Sequence, residues 1–167
     1  ALSLVGRYLG TGDAARLRQA LVKEARVATA VDEPMEGGLG FPNSSLDDYK
    51  EPGLFGFFIL RRPEASAEKV LELVLAEAAR VAREGVPPAA LERVKARLSG
   101  ETLRARQTGL GRAEAWLRAW VLDGRPEVAD ADAEAAMTIS AEETQAAAAA
   151  FLTPARVNAF ILDAGGK

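Results

Sequence analysis

The chain of 167 residues contains no histidine and no cysteine. A catalytic zinc site normally takes imidazole or thiolate ligands around an open coordination position. Only carboxylates remain here, and oxygen-only sites favour calcium, magnesium or manganese over zinc. The same absences remove a histidine general acid or base, a Ser-His-Asp triad and a cysteine nucleophile. A self-contained hydrolase of any of these kinds is excluded. Without thiols, the redox compartment stays open between bacterial cytoplasm and periplasm. No apolar run approaches the roughly 18 residues that a membrane span requires. Charge of one sign is lacking too: 21 basic and 24 acidic side chains leave a net charge of −3. That balance gives no broad drive toward nucleic acid or anionic lipid, and neither is an expected partner.

What is present is core material. A hydrophobic fraction of 49% supports one domain over residues 1–167. Leu2, Leu4, Val5, Tyr8 and Leu9 recur at helical spacing until Gly10-Thr11-Gly12. Asp13 is placed to cap a second helix carrying Ala14, Leu17 and Leu21. Val27, Thr29 and Val31 alternate as in a strand, which sets all three on one face. A Gly/Pro-rich stretch over 34–53 leads to LFGFFIL at 54–60, the clearest strand in the chain. From Pro63 onward helices dominate. Val70, Leu71, Val74, Leu75, Ala78, Val81 and Ala82 form one stripe, closed by Gly85 with Val86 set for a Schellman-type contact. Pro88 opens a helix with Leu91, Val94 and Leu98, and another spans about 111–122 around Trp116, Leu117 and Trp120. Ser140 and Glu143 have capping-box spacing for a helix that ends near Phe151 at Thr153-Pro154. A last strand is expected over 157–162. The order predicts an α+β fold, an antiparallel sheet covered on one face by helices.

Several groups invite a sharper reading. Glu33, Glu36, Asp47, Asp48 and Glu51 are candidate hard-cation ligands, but their spacing is not that of an EF-hand and fits a solvated loop. Gly37-Gly38-Leu39-Gly40 lacks the Lys-Ser/Thr that follows in a phosphate-binding loop. Arg93, Lys95, Arg97, Arg104 and Arg106 make a basic helix, interleaved with Glu92 and Glu101 as on an ordinary exposed face; a wall attracting acidic peptides is an intermediate reading. Trp116 and Trp120, four residues apart, suit a core or an interface better than a ligand cage.

Three stretches resemble the M16 metallopeptidases, the group of pitrilysin, insulin-degrading enzyme and the mitochondrial processing peptidase. LVGRYLGTGDAARLRQALVKEARVATAV is similar to that family's helix, LGGG-x-SRL, LRE-x-x-GLAY and strand. DYKEPGLFGFFILRRPEASAEKVLELVLAEAARVAREGVPPAALERVKARL resembles its dpG-x-f-x-i strand and following long helix, and FLTPARVNAFILDAG its closing yl-x-p-x-x-x-x-vvl-x-p. The order and spacing of these motifs carry the resemblance. It implies two homologous halves, fused or as separate subunits, that close around a peptide chamber. One half holds zinc through an inverted HxxEH motif, and the other lacks the metal and forms the opposite wall. A chain without histidine corresponds to the second, C-terminal kind. The family pattern also places a first strand before Ala1.

The resemblance implies an arginine and a tyrosine, seven positions apart, that reach substrate from the non-catalytic half. Aligning Arg16-Leu17 with the family RL puts Val22 and Thr29 at those positions, and Arg26-Val27 at the preceding GL. Valine cannot donate a charge-assisted hydrogen bond. Two functions follow as expectations. One is the non-catalytic half of a zinc peptidase, with zinc in the partner half and a peptide as substrate. The other is a proteolytically dead scaffold or interaction module of the same fold. Either predicts association with a catalytic half or with itself.

Overall fold

The computed structural model describes residues 1–31 and 56–162. The loop at 34–53, the five candidate carboxylates, the Gly37–Gly40 run and positions 54 and 55 lie outside them. Helix α1 (Leu2–Gly10) buries Leu4, Val5 and Leu9 and ends at extended Thr11. The next segment is a single turn, α2 (Arg16–Arg18), continuing into a π-helix (Gln19–Glu24). Its N-cap is Ala15, not Asp13. Asp13 instead presents its carbonyl to Gln19 Nε2 at 2.6 Å, while its side chain stands in solvent 3.4 Å from Arg18 Nε.

Strands β1 (Ala28–Val31) and β2 (Ile59–Arg61) pair antiparallel, with Ala28 opposite Arg61, Ala30 opposite Leu60 and Val31 opposite Ile59. The register shifts between Ala28 and Ala30, so Thr29 is the extra residue of a β-bulge. Expected alternation therefore fails. Ala28 and Val31 are buried while Thr29 is exposed, so residues 27, 29 and 31 do not share a face. The buried face lies on the helical core, and Leu60 stands on the open side. The 54–60 strand is shorter than its composition suggests, because residues 56–58 are not paired.

Helix α3 (Ala67–Glu84) starts at Ser66, whose hydroxyl accepts from the Lys69 amide at 3.2 Å. It stops at Gly85 with φ 73°, a conformation that costs an L side chain energy, and a Cβ there would also meet the Ala141 carbonyl at 3.1 Å. The stop is not of Schellman type. Val86 donates its amide to Thr144 Oγ1 at 3.3 Å, and the Thr144 hydroxyl donates to the Ala141 carbonyl at 2.6 Å. This buried threonine ties α3 to α7 (Ala141–Phe151). Between them run α4 (Pro88–Ala105), α5 (Gly109–Asp123) and α6 (Ala131–Thr138), with a 3₁₀ turn at Pro126–Asp130. The Ser140–Glu143 capping box forms reciprocally, at 3.2 and 2.7 Å.

The core gathers Leu4, Val5 and Leu9 with Leu17 and Leu21, Ala28 and Val31, Val70, Val81, Val86, Leu91 and Ala148. Thus α1, the π-helix, β1 and the faces of α3, α4 and α7 share one apolar interior. Among the described residues the expected closing strand does not form: no ladder pairs residues 157–162 with another described segment, and Phe160 and Leu162 are 85% and 79% exposed. A strand needs a neighbouring edge to bond its backbone, and none lies beside this segment among the described residues. The fold is α+β, mostly helical, with a small two-stranded antiparallel sheet.

Candidate functional site at the π-helix and the bulged strand

Three backbone irregularities fall within eleven residues. The π-helix carries Val22, and its end is marked by the Ala25 amide reaching the Ala20 carbonyl at 2.9 Å. Arg26 then takes φ 55°, the left-handed region that favours glycine. This reversal lets the Val27 amide donate to the Leu21 carbonyl at 2.9 Å, closing the helix end. The bulge at Thr29 follows. π-Turns, left-handed non-glycine residues and bulges are each enriched at functional sites. Here they turn the chain sharply from helix to sheet.

Val22 packs half-buried against the core, and Thr29 is exposed on the open side of the sheet. Its hydroxyl donates to the Leu60 carbonyl at 3.1 Å. The two sequence-identified positions therefore lie at one end of the sheet, but only Thr29 offers a polar group. Arg26 is exposed between them.

An ion cluster that sequence reasoning missed braces this segment. Arg16 donates to both oxygens of Glu77, at 2.9 and 2.7 Å, and to both oxygens of Glu24, at 2.7 and 3.2 Å. One guanidinium thus clamps the π-helix onto α3. Its hydrogen bonds with Glu77, then Glu24, push the Arg16 pKa up, against the smaller effect of burial. The Arg16 hydrogen bond in turn holds Glu24 below the usual carboxylate range. Arg80 lies 3.0 Å from Glu77 and donates to the Tyr8 hydroxyl at 3.4 Å. No local motif announces this cluster, because Arg16 and Glu77 are 61 residues apart. It contains no nucleophile beside a base, and its chemistry is positional.

The basic helix does not present a continuous cationic face. Lys95 is buried and pairs with Glu92 at 3.1 Å, Arg97 pairs with Glu101 at 2.7 Å, and Arg106 bonds the Ala129 carbonyl. Arg7 reaches the same Glu101 at 2.7 Å. Burial raises the Glu101 pKa, but the bonds from Arg97 and Arg7 outweigh it and the net shift is downward. Trp116 and Trp120 are not core: they are 55% and 59% exposed on α5. Among the described residues, no three carboxylates converge as a metal site and no helix is long and apolar enough to cross a membrane.

The sequence pattern of the M16 peptidase inactive domain matches residues 1–98, from α1 into α4. The chain belongs to the M16 peptidase family. It does so through the family's inactive domain. The fold is similar to the crystal structure of a "putative zinc protease" from Bordetella pertussis Tohama I, at 21% identity and a TM-score of 0.72. That match covers 93% of this chain and 79% of the Bordetella chain. A protease from Helicobacter pylori is similar at 15% identity and a TM-score of 0.70, over 88% of this chain and 33% of the Helicobacter chain. This M16 domain thus spans about a third of the longer protein. No curated protein sequence gives a significant match.

Proposed function

We propose that this domain is the non-catalytic half of a zinc metallopeptidase, forming the chamber wall opposite the zinc-bearing half and helping to enclose a peptide. The observation that carries this reading is the match to the inactive domain in a chain with neither histidine nor cysteine. Zinc does not fit these residues: nitrogen and sulfur donors are lacking, and the described carboxylates form no cluster. The metal therefore belongs to a partner half, fused or separate. The bulged strand supplies the wall's polar edge, with Thr29 and Arg26 exposed beside the open face of the sheet. The test is reconstitution. Mixed with a zinc-bearing half, the domain should restore hydrolysis of a fluorogenic peptide, and alone it should hold no stoichiometric zinc after dialysis. Tightly held zinc in the isolated domain, or turnover that ignores it, would sink the proposal.

A second reading, a scaffold that has lost proteolysis, is favoured by one observation. Val22 and Thr29 stand where the family resemblance implies an arginine and a tyrosine, and Val22 packs half-buried against the core. Val22→Arg with Thr29→Tyr separates the two readings. In a working peptidase the double variant regains a charged donor near the substrate, a contact worth on the order of 100-fold in rate when preorganised. In a scaffold it changes no rate, and costs stability through Val22 alone.

A further inference from the structure

Arg26 sets a charged side chain on a backbone conformation that glycine would adopt without strain. Strained residues of this kind gather at ligand contacts, where the side chain has a task that outweighs the cost. Within the fold the Arg26 guanidinium has no such task. It is exposed, and among the described residues it has no hydrogen-bond or ion-pair partner.

A second arginine stands next to it. The Arg62 amide donates to the Val27 carbonyl at 2.9 Å, which places Arg62 across from the turn at Arg26 and Val27. Arg62 is under-satisfied as well: Glu64 is 4.0 Å away, beyond hydrogen-bond reach, and the Arg62 Nε–H is buried with no acceptor among the described residues. Lys23, on the π-helix, is exposed. Glu24 does not neutralise this end of the sheet, because both its oxygens are held by Arg16. Back along the chain from Arg62 the exposure alternates. Leu60 and Phe58 are 52% and 39% exposed, whereas Ile59 and Phe57 pack half-buried against the core. Alternate residues of an extended chain share a face at a spacing of roughly 7 Å. Arg62, Leu60 and Phe58 thus form a row on the open side, cationic at one end and apolar beyond.

We propose that the open face of the sheet binds an extended peptide by an acidic side chain, which Arg26 and Arg62 hold through charge-assisted hydrogen bonds. The next alternate side chains of the peptide, which are apolar, lie on Leu60 and Phe58 at the matching period of two. Arg26 and Arg62 are then specificity-determining residues, and the strain at Arg26 is offset by the bound carboxylate. The inference names a substrate class for the chamber wall, and rests on that reading for the peptide's role as substrate.

The test is calorimetric titration of the full chain alone, so its failure is distinct from a failed reconstitution of hydrolysis. The probe is a short peptide, blocked at both ends, with glutamate, leucine and phenylalanine at alternate positions. Its twin carries glutamine for glutamate. The proposal expects saturable binding of the glutamate peptide and affinity lower by about tenfold or more for the twin. Arg26→Gly and Arg62→Gln should each weaken the glutamate peptide by about tenfold and bring it toward its twin. Arg26→Gly relieves the backbone, so unfolding in urea should show a fold no less stable while binding is lost; a merely structural arginine would not separate the two. Arg26→Lys keeps the charge and should keep part of the affinity. Arg93→Gln, at an exposed position on α4, should leave binding unchanged. No binding of either peptide, equal affinity for both, or binding that survives Arg26→Gly would overturn the proposal. So would an equal loss in Arg93→Gln, which would reduce the effect to overall charge.

Discussion

Arg26 carries a cost that its side chain does not recover within this fold. Its φ of 55° is a glycine conformation, and the residue follows the π-helix where the family resemblance implies glycine. Left-handed geometry costs an L residue roughly 1–2 kcal/mol. Arg26→Gly should therefore stabilise the domain by about 1 kcal/mol in urea unfolding, after the entropy of glycine offsets part of the relief. An unchanged or lowered midpoint would show that the Arg26 side chain makes a stabilising contact after all. Arg16 is the opposite case. Its clamp joins Glu24 and the largely buried Glu77, and Arg16→Met should cost on the order of 1–3 kcal/mol by removing charge-assisted bonds. Acid adds a second signature. Glu24 and Glu101 are both held below the ordinary glutamate value of 4.5, so the unfolded chain binds their protons first as pH falls. The stability they contribute is present above about pH 4.5 and is lost as pH drops through their lower folded values. Unfolding midpoints measured from neutral pH down to pH 3 should fall in the wild type and fall less steeply in Arg16→Met. Parallel slopes would mean that the clamp does not set the Glu24 titration. Little of this was legible in the sequence, because a pairing across 61 residues leaves no local pattern. Arg26 did leave a trace, as an arginine in the glycine position of the GL pair.

Helices were easier to read than strands, for a physical reason. The Ser140–Glu143 box, Pro88 in the first turn of α4 and Gly85 after α3 act within a few residues, so spacing alone reveals them. A strand is completed by a neighbour elsewhere. The 157–162 segment has strand composition but pairs with no strand among the described residues, and Phe160 and Leu162 stand in solvent. The bulge at Thr29 escaped for a similar reason: alternation of 27, 29 and 31 assumes an unbroken ladder, and one extra residue reverses the faces. Between elements, Thr144 is the feature to test. Thr144→Val leaves the Val86 amide without its acceptor at a buried position and should cost about 1–3 kcal/mol, whereas Thr144→Ser keeps the hydroxyl and should recover most of it. A loss in Thr144→Ser as large as that in Thr144→Val would mean that the hydroxyl contact to the Val86 amide is not what the threonine contributes. Ser140→Ala, which removes the hydroxyl half of the capping box, should cost about 1 kcal/mol.

At the scale of the molecule, the fold and the chemistry point the same way. One apolar interior unites α1, β1 and the faces of α3, α4 and α7. Large apolar groups nevertheless remain outside it on α5 and over 157–162. Exposed apolar patches of this kind mark surfaces that other polypeptide covers. In the proposed reading the domain is one part of a larger assembly, and its lack of histidine and cysteine leaves the zinc to a catalytic half. The decisive measurement is peptide hydrolysis by a zinc-bearing M16 half with and without stoichiometric addition of this domain, with zinc counted in each species. The account predicts negligible turnover by either part, restored turnover in the mixture, and all the zinc in the partner. Turnover that is the same with and without the domain, or zinc that travels with the domain, would contradict it.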